Sequence, residues 1–263
     1  MELLADEGFR YGFNLKGLNS IRDGHGAIKS FQLTDRRPKW FLCQWNSKYN
    51  LISGEFNVKK DGYRIRDASK SLTVQGDSEL VFELDANKEY AAPRGENDPW
   101  PHLLIEQEIT ENNRIRDLGR LVCHARFRLL EFESYMHGEE KEYHAAQFVW
   151  VVTLKDANPD SPSYNSFIWV VFCPFDSRYE FAPLFTQQDK ALPDGEFIYS
   201  FGGRGFMEKS LWDGEEALMH FDLFPRIDAI LACAQSRGFM TGSRKEDLIV
   251  SSTNMGFEIT GTF

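Results

Sequence analysis

The sequence predicts an all-β protein, an antiparallel β-sandwich or jelly roll with one helix near its C-terminus. Three observations carry that reading: segments in which apolar and polar residues alternate, turn signals at short intervals, and one late stretch of helical periodicity. Alternation is the signature of a half-buried strand, because successive side chains point to opposite faces. The densest alternation lies in residues 100–173. There His102, Leu104, Glu106 and Glu108 share one face, with Leu103, Ile105 and Ile109 opposite. A second strand, residues 120–129, sets His124, Arg126 and Arg128 against Leu121, Cys123, Ala125, Phe127 and Leu129. Residues 144–153 are mostly apolar on both faces and 167–173 are apolar throughout, as in fully buried strands.

Shorter runs at residues 40–45, 62–65, 80–84 and 197–201 read as further strands. Between them fall turn signals at Asp23-Gly24, Asp61-Gly62, Gly76-Asp77, Gly95-Glu96-Asn97-Asp98-Pro99, Asn158-Pro159-Asp160-Ser161-Pro162 and Pro193-Asp194-Gly195. After Asp222, Pro225 falls in a first helical turn, Ile227, Ile230, Leu231 and Ala234 repeat at helical spacing, and Gly238 suits the residue past the helix end. Residues 256–263 alternate again and are expected to return a last strand to the sheet. No linker or repeat divides the sequence, so a single domain over residues 1–263 is expected.

The chain has 263 residues, of which 42% are hydrophobic and 14% aromatic, enough for a sizeable core and against disorder. Its formal net charge of −10 argues against a nucleic-acid partner, which needs a clustered basic surface. No run of 18 or more apolar residues occurs, so no membrane-spanning helix is expected. The first residues lack a basic n-region and a long apolar run, so a cytoplasmic location is expected, or a secreted one if a leader was removed. Cys43, Cys123, Cys173 and Cys233 are widely spaced and form no Cys-x-x-Cys pair, which points to free thiols rather than a zinc site. The sequence leaves the oligomeric state open.

Large sandwiches with a polar sheet face and one late helix resemble the concanavalin A-like lectin and glucanase superfamily. The strings nearest to its acid and arginine motifs are Glu106-Gln107-Glu108, His124-Ala125-Arg126-Phe127-Arg128 and His144-Ala145-Ala146-Gln147. None reproduces a motif of that superfamily in full. What the resemblance implies is a concave sheet face turned toward a glycan.

Glycoside hydrolysis uses two carboxyl groups, about 5–5.5 Å apart for retention and about 6.5–9.5 Å for inversion. Residues i and i+2 of a strand lie ~6.5–7 Å apart, so Glu106 and Glu108 are the candidate acid/base and nucleophile. The alternative for both is a solvated outer face. His102, His124, Arg126, Gln147, Asp176 and Arg178 are the candidate substrate-binding residues, Asp176 and Arg178 because a polar pair ends a buried strand. Turn capping by Asp176, and an outer face in which the arginines pair with Glu131 and Glu133, are the competing readings. Trp40 and Trp45, beside Gln44 and Asn46, are the candidate stacking rings, whereas Trp150 and Trp169 sit in runs apolar enough for a core.

No cofactor or metal is expected. The alternating oxygens of Asp156, Asn158 and Asp160 give only a weak calcium signal beside a plain hairpin turn. No phosphate-binding loop, nucleophile elbow or His-Glu-x-x-His string is present. The expected function is a carbohydrate-active protein acting on an oligo- or polysaccharide, as a glycoside hydrolase if it is an enzyme. The alternatives are a non-catalytic, lectin-like binding module and a protein-interaction sandwich.

Overall fold

Alternating segments rich in Phe, Val, Ile and Leu become strands because one face enters a core while the other stays polar. The computed structural model describes residues 2–19, 26–92, 94–95, 98, 100–189 and 196–263. The turns expected at Asp23-Gly24 and Pro193-Asp194-Gly195, and part of that at residues 95–99, lie outside the described residues. The first strands are β1 (Gly12–Leu15), β2 (Lys29–Gln32), β3 (Trp40–Cys43), β4 (Glu55–Lys59), β5 (Gly62–Arg66), β6 (Lys70–Gln75) and β7 (Glu79–Leu84). After the single turn α1 (Ala86–Glu89) come β8 (His102–Glu108), β9 (Val122–Phe127) and a second turn, α2 (Glu140–Tyr143). Then follow β10 (Ala146–Asp156), β11 (Phe167–Asp176), β12 (Phe185–Gln188), β13 (Phe197–Ser200) and β14 (Ala217–Asp222). The chain closes with the helix α3 (Ile227–Ser236) and β15 (Leu248–Ile259).

Two compact units emerge. The terminal unit holds Glu2–Gln107, Phe132–Phe148 and Asn254–Phe263; the central unit holds Glu108–Glu131 and Val149–Thr253. Strands β10 and β15 contribute residues to each.

The terminal unit is a sandwich. One layer has the order β10-β15-β8-β3-β1-β2 and the other β4-β5-β6-β7. Phe13, Leu15, Trp40, Leu42, Leu103 and Ile105 from the first layer pack with Tyr63, Ile65, Leu72 and Val74 from the second in one buried cluster. Burial of this apolar surface is the main stabilising contribution, at about 25 cal/mol per Å² removed from water. Most neighbours are antiparallel, but β1 runs parallel to β3. Gly256 is required where β15 passes β8: its φ is +151°, and a Cβ there would stand 2.1 Å from the Leu103 carbonyl oxygen.

In the central unit the order is β12-β13-β11-β10-β15, with β9 and β14 forming a separate ribbon. The β11–β13 pair is parallel. Helix α3 follows the sequence reading closely, burying Ile227, Ile230, Leu231 and Ala234. Pro225 sits in the 3₁₀ turn that leads into it. Gly238, at φ +88°, ends it: its own N–H donates to Gln235 O and that of Phe239 to Ala234 O, the paired bonds of a Schellman cap. The last strand begins earlier than expected, at Leu248, and ends at Ile259. Its polar run Ser251-Ser252-Thr253-Asn254 hides the strand from a hydrophobic pattern. Among the described residues no helix is long and apolar enough to cross a membrane.

Candidate functional site

The register of three strands assembles a polar face in the terminal unit. Strand β1 pairs with β3 through Leu15 and Leu42, and β3 with β8 through Phe41 and Glu106. Alternation then turns Leu15, Leu42 and Ile105 into the core and leaves Lys16, Phe41 and Glu106 on the other face. There Lys16 Nζ lies 2.5 Å from Glu106 Oε1, with the two side chains only 3% and 13% exposed. The ammonium also lies 5.0 Å from the Phe41 ring centre and 5.8 Å from that of Trp45. A charge pair this deeply placed persists because each member compensates the other's lost hydration. Cys43, two residues after Phe41 on the same face of β3, is buried, its thiol pushed up by burial first and by the Glu106 charge second, with Lys16 opposing. That thiol stays protonated and is no nucleophile.

Two positions before Leu104 on the same face, His102 is held on both ring nitrogens. The Trp100 indole N–H donates to His102 Nε2 at 2.7 Å, and His102 Nδ1 lies 3.3 Å from the Trp45 carbonyl oxygen. An accepting Nε2 assigns the proton to Nδ1, so the ring is neutral. Its burial lowers its pKa, an effect opposed by Glu258. Glu258 Oε1 is 3.8 Å from Nε2, close enough for an ion pair only when the ring is protonated. The Trp45 and Trp100 rings lie 5.9 and 6.0 Å from the imidazole, and Arg94 lies 5.2 Å from Trp100.

The Ile259 N–H donates to Pro101 O, and the Thr260 N–H to Ala145 O. Carried along these antiparallel strands, that register sets Glu258 opposite His102 and Gln147 opposite Glu258. The Trp45 indole N–H is buried and has no hydrogen-bond partner among the described residues. A buried donor left without an acceptor costs about 1–3 kcal/mol, which a bound oxygen would relieve.

Of the residues singled out by sequence, Glu106, His102, Gln147 and Trp45 therefore share this face. Trp100, a further candidate stacking ring by sequence, joins them, and Lys16 and Glu258 join unannounced. Glu258 was visible as an acid in an alternating run, but its partner His102 is distant in sequence. Trp40 is on the opposite face. It is 2% exposed, its indole N–H donates to Asp6 O at 3.0 Å and its ring lies 5.2 Å from that of Phe9, so it is a core residue and cannot stack on a ligand.

The other named residues lie in the central unit. Glu108, ending β8, is exposed. His124 is exposed on β9 directly opposite His220, and Arg126 reaches Glu216, not Glu131 or Glu133, at 3.5 Å. The Asp176 carboxylate is closed by Arg178 itself: Nε to Oδ1 at 2.9 Å, Nη2 to Oδ2 at 2.7 Å and the backbone N–H to Oδ1 at 2.9 Å. This is the turn-capping arrangement. Trp150 is buried, its indole N–H donating to Thr253 Oγ1, while Trp169 is half-buried against Phe167.

The weak calcium signal resolves into a stapled turn. Asp156 is fully buried, with its carboxylate accepting from Ser161 Oγ, Ser243 Oγ and the Asn158 N–H, while Asn158 Oδ1 accepts from the Asp160 N–H. These oxygens are committed to the protein's own donors. The four cysteines are free thiols.

No family model matches this chain, and no curated protein matches it. Similar solved structures include a thermostable cellulase derived from that of Rhodothermus marinus, with 14% identity over 73% of this chain and 79% of that one and a TM-score of 0.40. A family 12 xyloglucanase from Bacillus licheniformis shows 10% identity over 85% and 87% of the two chains, at 0.38. A family 11 xylanase from Neocallimastix patriciarum shows 7% identity over 79% and 89%, at 0.39. At such scores and identities the likeness transfers neither a reaction nor a residue to this chain.

Proposed function

We propose that the chain is a carbohydrate-active protein that engages an oligo- or polysaccharide through the polar face of β8, as a binding module rather than a hydrolase. The observation that carries this reading is the Trp45–His102–Trp100 cluster beside Glu258 and Gln147. A sugar offers an apolar face of C–H groups and a rim of hydroxyls. The half-exposed Trp100 ring suits the first, and the Glu258 carboxylate, the Gln147 amide and the unpartnered Trp45 N–H suit the second.

Hydrolysis is the less favoured reading: Glu108, the acid proposed beside Glu106, is exposed at the end of β8, and Glu258 is too far away. Glu106 is committed to Lys16, and Glu258 stands across from His102, four residues along β8 from Glu106. That spacing is ~13 Å, beyond the roughly 9.5 Å that an inverting pair spans.

The test is titration of the full chain with β-linked gluco-, xylo- and manno-oligosaccharides, followed by calorimetry, alongside an assay for new reducing ends. Binding that weakens about tenfold or more in Trp100→Ala, with no reducing ends released, is the expected result. Release of reducing ends by the wild-type chain would establish hydrolysis instead. Absence of both binding and cleavage across the panel removes the carbohydrate reading.

A further inference from the structure

We propose that His124 and His220, in the central unit, form an open two-imidazole site for a late first-row divalent metal, Cu²⁺ before Zn²⁺ or Ni²⁺. The antiparallel register of β9 and β14 places the two residues directly opposite each other. Their Nδ1 atoms stand 3.1 Å apart, with ring centres 5.3 Å apart and planes at 77°. Metal–imidazole bonds are about 2.0–2.1 Å long. Two nitrogens 3.1 Å apart then subtend about 98° at a shared ion, between the right angle of square-planar or octahedral neighbours and the tetrahedral angle. In the metal-free ribbon the same spacing is a hydrogen bond, one Nδ1–H donating to the other Nδ1. When the ion binds, that proton moves through solvent to Nε2 of the same ring, and a small turn of the exposed rings aims both Nδ1 lone pairs at the metal.

The ribbon beneath the pair is fixed. Cys123, Phe127, Ala217 and Met219, on its other face, are buried. The next residues on the imidazole face supply no third ligand. Arg126 pairs with Glu216, and Asp222 accepts from the Leu121 and Phe224 N–H groups and faces Arg120.

Among the described residues no group of three or more His, Cys, Asp or Glu gathers as a metal site. Two protein ligands therefore leave the remaining positions to water or to donors of a second molecule. Such a site is exchangeable, and the order of affinity follows the usual preference of imidazole for copper over nickel and zinc. The chain's net charge of −10 favours cation approach.

Calorimetry and electron paramagnetic resonance of the full chain with CuCl₂ at neutral pH test this, with ZnCl₂ in a parallel titration. The expected result is one Cu²⁺ per chain in the micromolar range, with two nitrogen couplings in the spectrum. His124→Gln and His220→Gln should each weaken it by about tenfold or more, with unchanged circular dichroism because both side chains are exposed. Copper binding that survives either substitution, a spectrum with one nitrogen, or no binding in the wild-type chain would overturn the assignment.

Discussion

On β8, His102 is 7% exposed with hydrogen-bond partners at both ring nitrogens, and Glu106 is tied to a buried lysine. On β9, His124 meets only another exposed histidine, and Arg126 meets Glu216 with side chains 69% and 59% exposed. Both strands show the same written pattern, ionisable residues every second position against an apolar face. Their environments differ in the one variable the pattern omits, which is whether anything covers the polar face. Cover turns charges into obligatory pairs; exposure leaves them free to meet ions and ligands.

The contrast is sharpest at the Lys16–Glu106 pair. Glu106→Gln removes one charge and strands the other in a site 3% exposed, which should cost about 3–5 kcal/mol in urea unfolding. Replacing both with Met and Leu should recover most of that loss. A cost below about 1 kcal/mol would place this pair with the surface pairs of β9 and erase the distinction.

Next in size is Asp176, the buried carboxylate among the central unit's substrate-binding candidates. Its side chain is 1% exposed and that of Arg178 26%. Arg178→Met removes both guanidinium bonds to the carboxylate and should cost about 2 kcal/mol. Equal stability of variant and wild type would mean that solvent reaches Asp176 after all.

How far these differences could be read in advance follows the same line. The β8 pattern placed His102 and Glu106 on one face, and the spacing of Ile227, Ile230, Leu231 and Ala234 with Gly238 placed α3 and its cap. Alternation divides a strand into two faces but does not say which one a second layer will cover. Hence Trp40, thought free to stack, lies against Phe9 in the core, while Trp45 flanks the polar face. Lys16 and Glu258 are far from β8 in sequence, and only strand register brings them to it. Asp176 and Arg178 were legible as a pair, but not that each would satisfy the other.

His102 offers a pH reading of its cover. Burial lowers its pKa below the ordinary value of about 6.5 that it regains on unfolding. Between those two values the unfolded chain binds more protons, so stability is full above about pH 6.5 and falls as pH drops from there toward the lowered value. Unfolding free energies of wild type and His102→Gln between pH 7.5 and 5.5 should therefore diverge in slope, the wild type falling more steeply. Parallel slopes would show that the ring titrates as it does in the unfolded chain, and hence that the face is open.

The smallest effect belongs to the exposed pair. Arg126 and Glu216 stand 3.5 Å apart in water, where Coulomb attraction is screened and ordering two long side chains opposes it. A double-mutant cycle with Arg126→Gln and Glu216→Gln should give a coupling of about 0.2–1 kcal/mol that shrinks further in 1 M salt. A salt-insensitive coupling above that range would mean the β9–β14 face is covered in solution by something beyond this chain. The exposed imidazoles beside it would then lose the access on which a metal site depends.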